Sequence, residues 1–239
     1  MSDRTWPERD YSLALLLLTA ATGAIDGVSY LALDRVFTGN MTGNVLFIGF
    51  GLVGVEDIPV LNNLIALLTF MVGAVIGARV TRHSGRVKLP RASLLLLLIG
   101  TVAVFALAVV WILVGRIGTP VMIVITGVLA LLLGAQAAAV KHVGIRDLST
   151  VVVTMTMVNL SSDSRLAGGT GAAWLRRVAA IVMMGLGALG SAAVTLHWGG
   201  AYALLLAGAI MAVSTVLLGR ARGLDLRTAA RQPAAALSS

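Results

Sequence analysis

Six apolar stretches, each long enough for one membrane crossing, set the limits on what this chain can become. They run from Tyr11 to Leu33, Leu61 to Val80, Ala92 to Val114, Val121 to Val140, Ala172 to Leu196 and Gly199 to Leu218. About 20 apolar residues wound as a helix cross the roughly 30 Å of bilayer hydrocarbon, so the expected fold is an all-α integral membrane protein with six transmembrane helices. Charge supports this: only 12% of residues are charged, against about a quarter in soluble domains. The net charge of +8 does not point to nucleic acid. Lys and Arg collect in short loops and at the C-terminal end instead of forming a basic stripe with interleaved aromatics. Cysteine is absent and there are three histidines, so thiolate chemistry is excluded and no cofactor or metal site is expected.

Two further apolar pieces, Asn44 to Val53 and Thr150 to Leu160, are too short for a comfortable crossing. Lys and Arg near span ends stay on the cytoplasmic side, which decides how to count these pieces. If neither crosses, 16 of the 18 Lys and Arg residues fall on one side and only Arg35 and Arg116 on the other. The expected topology is therefore six spans in the cell (inner) membrane with both termini cytoplasmic. The first span reads as a retained helix and not a cleaved signal, because Arg4 and Arg9 are offset by Asp3, Glu8 and Asp10. The chain divides into a cytoplasmic N-terminus at 1–10, membrane halves at 11–115 and 121–219, and a basic cytoplasmic tail at 220–239 expected to be disordered.

The halves are related. Gly23-Ala24 recurs as Gly134-Ala135, Arg35 as Arg146 and Thr38 as Ser149, about 111 positions on; after a one-residue slip Thr42 falls on Thr154 and Met71/Gly73 on Met183/Gly185. Three spans per repeat force the two copies into opposite orientations, an inverted repeat. Each copy then carries a short broken or re-entrant segment, and such paired interruptions point to a site between the repeats.

Asp26 is the one acidic residue inside these spans. A carboxylate facing lipid costs about 2.5–3.5 kcal/mol or more, so it must face the interior or water, as a proton or cation site or as a packing bond to Thr and Asn groups. The run Phe37-Thr38-Gly39-Asn40-Met41-Thr42-Gly43-Asn44 opens an apolar helix, where Thr and Asn cap and Gly allows close approach. Exposed N–H groups at such a helix start attract substrate oxygens. The candidate substrate- or ion-binding residues are Asp26, Asn40, Thr42, Gly43, Asn44 and, from the second half, Gln136, Thr150, Thr154 and Asn159. Gly73/Gly77 and Gly185/Gly187/Gly190 suit helix packing, with a homodimer through the same faces as the second reading. The histidines fall at span ends, no His-x-x-x-His or His-Glu pair exists, and two carboxylates never meet inside a span. The chain does not read as an enzyme.

Gly23-Ala24-Ile25-Asp26, Val36-Phe37 and Thr42-Gly43-Asn44, with Gly134-Ala135-Gln136, Arg146-Asp147 and Ser149-Thr150 in the second half, resemble the YoaK-like family, domain of unknown function 1275. The resemblance covers about Tyr11 to Leu218 and implies a bacterial-type multi-pass membrane protein with no established activity. Two positions depart from the family pattern: Thr154-Met155 stands where members tend to carry Thr-Gly, and Gln136-Ala137 where they tend to carry Gln-Asn. The first half therefore keeps more of the polar chemistry. The leading functional expectation is a small secondary transporter or channel-like permease for a small solute or ion, coupled through Asp26. The alternative is a non-transporting membrane scaffold or assembly partner.

Overall fold

A computed structural model describes residues 6–82, 89–143 and 153–236. Among these residues all regular structure is helical: α1 (Trp6–Ala32), α2 (Met41–Leu52), α3 (Val60–Thr81), α4 (Arg91–Val114), α5 (Thr119–Val140), α6 (Val153–Ser162), α7 (Trp174–Trp198) and α8 (Gly200–Ala236). Six of them, all but α2 and α6, are long and apolar enough to cross a membrane. At about 1.5 Å per residue, the 12 residues of α2 reach only about 18 Å.

Local chemistry sets the helix limits. Pro59 and Pro90 stand immediately before α3 and α4, and Pro120 lies in the first turn of α5, positions where the missing N–H costs nothing. Gly115 and Gly199 close α4 and α7 with φ of 75° and 100°, a left-handed backbone that a Cβ would strain. α8 continues well past Leu218 to Ala236, where the basic composition led to an expectation of disorder. The span supplies a ready helical nucleus, and the Ala, Leu and Arg that follow are strong helix formers. Arg222 Nε donates to the Leu89 carbonyl at 3.0 Å, which fastens this extension to the foot of α4.

α1 is the most buried of the six long helices and α7 the least. α1 packs on α7 and α8, α5 packs on α3 and α4, and α4 meets α8. The closest approaches come in corresponding pairs. A Cβ on Gly23 would strike the Met184 carbonyl and one on Gly187 the Ala20 carbonyl; likewise one on Gly134 would strike Phe70 O and one on Gly73 Leu131 O. Small residues let backbones meet in this way where lipid gives helices no hydrophobic reason to associate. On α7 it is Gly187 that makes such an approach, whereas Gly185 has nothing within 4 Å of a Cβ. Buried hydroxyls add stitches: Ser214 Oγ donates to Ala14 O at 2.6 Å, Ser93 Oγ to Ala139 O at 2.9 Å, and Thr101 and Thr215 hydroxyls meet at 3.2 Å. Large apolar side chains such as Leu68, Val75, Leu95, Leu113 and Leu189 stay exposed around the bundle, as a surface solvated by acyl chains requires.

Candidate functional site

The site is built where α1 stops short of a continuous path into α2. Asp34 and Arg35 take φ of 70° and 54° and turn the chain back. Val36 then buries completely against Ala66 and Ala130, the latter halfway along α5. Val36, Thr38 and Gly39 are thus turned inward, while Asp34, Arg35 and Asn40 stay exposed. An irregular segment at this depth must find partners for its backbone groups within the protein.

Asp26 supplies them. Its Oδ1 accepts from Thr38 N at 2.9 Å, Gly39 N at 2.7 Å and Thr38 Oγ1 at 3.3 Å. Gly39 is required by crowding: a Cβ there would sit 3.0 Å from the Thr22 methyl and 3.2 Å from Asp26 Oδ2. Asn44 holds the same loop from the far side, with Nδ2 donating to Phe37 O at 2.6 Å and Oδ1 accepting from Phe37 N at 3.0 Å. Asn40 caps α2 by accepting from Gly43 N at 3.4 Å. Gly43 lies under the Phe37 ring, closer than any Cβ would permit, and Tyr30, Phe37 and Phe47 stack in turn with centroids 5.0 and 6.0 Å apart. Asp26, the loop, Asn44 and α2 therefore form one connected unit.

Asp26 is 6% exposed, and its Oδ2 has no hydrogen-bond partner among the described residues. One turn earlier on α1, Thr22 Oγ1 donates to Leu18 O at 3.0 Å and accepts from Gln136 Nε2 on α5 at 3.2 Å. Because the hydroxyl proton is already committed to Leu18, Gln136 must present its NH2 and turn its oxygen away. That oxygen, on a side chain only 3% exposed, is likewise without a partner among the described residues.

Of the sequence candidates, Asp26, Asn40, Gly43 and Asn44 come together, and Gln136 joins them through Thr22. Thr42 lies on an exposed face of α2. Thr154 and Asn159 lie on α6, which packs on α7, and neither side chain is among the donors found at Asp26; Thr150 falls outside the described residues. Thr22, Thr38 and Gly39 were missed as site residues. Thr22 carried a usable signal in its four-residue spacing from Asp26, whereas Thr38 and Gly39 act largely through backbone N–H groups. Also missed was Arg177, which lies within the expected span Ala172 to Leu196 and counted there only towards the cytoplasmic charge. It is 6% exposed at the foot of α7, donating to Asn159 O at 2.8 Å and pairing with Asp163 at 2.6 Å.

The family model described as "Protein of unknown function (DUF1275)" matches residues 14–217, most of the chain. The chain belongs to this family. It is 33% identical over 155 residues to the UPF0700 transmembrane protein YoaK of Bacillus subtilis (strain 168), covering 65% of this chain and 67% of that protein. No solved structure is significantly similar. With six apolar spans in the fold and a transmembrane relative, this is a multi-pass membrane protein.

Proposed function

We propose that the chain is a small permease, not an enzyme, in which two inverted three-helix halves enclose a polar site coupled to protons or cations through Asp26. The carrying observation is the division of that carboxylate: Oδ1 accepts from the loop before α2, while Oδ2 is buried without a hydrogen-bond partner among the described residues. A packing residue needs only the first; a coupling residue needs the second. The reciprocal glycine contacts support the inverted repeat, since exchanging the halves carries α1 on α7 into α5 on α3. Both termini lie in the cytoplasm in this reading, on the strength of the distribution of Lys and Arg.

The test is proton flux into pyranine-loaded liposomes driven by a potassium–valinomycin potential. The wild type should acidify the lumen above protein-free liposomes, and Asp26→Asn should fall to the protein-free rate while keeping its fold. The Asn carboxamide can still accept from Thr38 and Gly39, and its NH2 supplies a donor on the side where Oδ2 lacks one. Flux in Asp26→Asn equal to wild type would remove the coupling role. The scaffold reading also has an observation in its favour, the near-complete enclosure of Asp26 by its own loop. It predicts no flux above protein-free liposomes in either protein, with or without a cation gradient.

A further inference from the structure

The turn between α6 and α7 folds into a compact cup. Gly169 N donates to Ser164 O at 2.9 Å and Gly171 N to Asp163 O at 2.8 Å, a return so close that a Cβ on Gly169 would strike the Asp163 carbonyl. Arg177 fastens its base through Asn159 O and Asp163. The hollow left inside, of about 880 Å³, is lined chiefly by Ser161, Ser164, Arg165, Leu166, Thr170 and Trp174.

Its polar lining has donors to spare, the reverse of the Asp26 carboxylate. Ser164 Oγ and Thr170 Oγ1 accept from Ala167 N at 3.3 Å and Ala172 N at 3.4 Å, so each O–H is left to donate elsewhere. Asp163, the acid beside them, is taken by Arg177 at 2.6 Å, and Arg165 has no ion pair among the described residues. A guanidinium and two hydroxyls lining one hollow suit the oxygens of a phosphate. The apolar lining decides what carries that phosphate. Leu166 is fully exposed, and Trp174 and Leu175 are more than half exposed, a patch that a small water-soluble anion would leave uncovered. Trp174 opens the span of α7, so the hollow lies at headgroup depth, where tryptophan gathers.

We propose that this hollow binds an anionic phospholipid, with Arg165, Ser164 and Thr170 on the headgroup phosphate and Leu166 and Trp174 against the acyl chains. The uncompensated charge of Arg165 favours an anionic over a zwitterionic headgroup. The site is separate from Asp26 and does not depend on the permease reading.

Native mass spectrometry of the purified full chain in detergent, with dioleoyl phosphatidylglycerol and dioleoyl phosphatidylcholine supplied in equal amounts, tests this. Phosphatidylglycerol should be retained over phosphatidylcholine by about tenfold, the effect of one charge-assisted hydrogen bond, and Arg165→Gln should erase the preference. Thr170→Val should weaken it severalfold and serves as the second variant if Arg165→Gln does not fold. Arg227→Gln, on the exposed extension of α8, should leave it unchanged. Equal retention of the two lipids by the wild type overturns the proposal, as does a preference that survives in both Arg165→Gln and Thr170→Val. Equal losses in Arg165→Gln and Arg227→Gln also overturn it, because they mark diffuse attraction to charge. Inorganic phosphate that displaces the bound lipid at equimolar concentration overturns the lipid assignment in favour of a free anion.

Discussion

The two short-helix regions solve one problem with opposite charges. In the first, a buried carboxylate on α1 gathers the backbone N–H groups of the loop before α2. In the second, a buried guanidinium on α7 gathers the Asn159 carbonyl at the end of α6 and pairs with Asp163, which is 54% exposed. The anchor of the first half lies deep and leaves an oxygen to spare; that of the second lies in the opening turn of its span, where an arginine costs little. Similar close glycine contacts on the two sides thus coexist with unequal polar chemistry, and under the proposed permease reading the deep anchor is the one that would hold a proton or ion.

The packing that the halves share gives the largest expected effect. Gly73→Val and Gly187→Val each drive a side chain into a carbonyl of the facing helix, so both should destabilise by about 3 kcal/mol or more, equally within error in unfolding by denaturing detergent. A large difference would break the correspondence of the halves. The anchors should then diverge. Asp26→Leu strips the acceptor from two buried N–H groups, each worth about 1–3 kcal/mol, and should cost about 3 kcal/mol in the same assay. Arg177→Met should cost only about 1 kcal/mol, because Asp163 reaches solvent and an ion pair with an exposed member contributes little. An Arg177→Met penalty matching that of Asp26→Leu would show that both regions are buried alike.

Much of the fold was legible from the sequence. The expected span at Leu61 to Val80 became Val60–Thr81 and that at Val121 to Val140 became Thr119–Val140, because apolar length is written directly in residue type. α2 starts at Met41, earlier than the apolar run at Asn44, because Asn40 is its cap. Asp26 stood out by being the one acid among the expected spans. Its partners did not, since the N–H groups of Thr38 and Gly39 belong to every residue type and only the turn at Asp34 and Arg35 brings them within reach. The split between Arg177 and its neighbouring cations was hidden because burial at the foot of a span depends on which way the helix faces.

Hydrogen–deuterium exchange of the protein in lipid nanodiscs, followed in peptides spanning residues 33–41, tests most directly whether Asp26 both builds and serves the site. The account predicts slow exchange at Thr38 and Gly39 in the wild type, nearly unchanged in Asp26→Asn and accelerated in Asp26→Leu. Wild-type exchange at those amides as fast as at the exposed turn around Gly54, or slow exchange that survives Asp26→Leu, would contradict it.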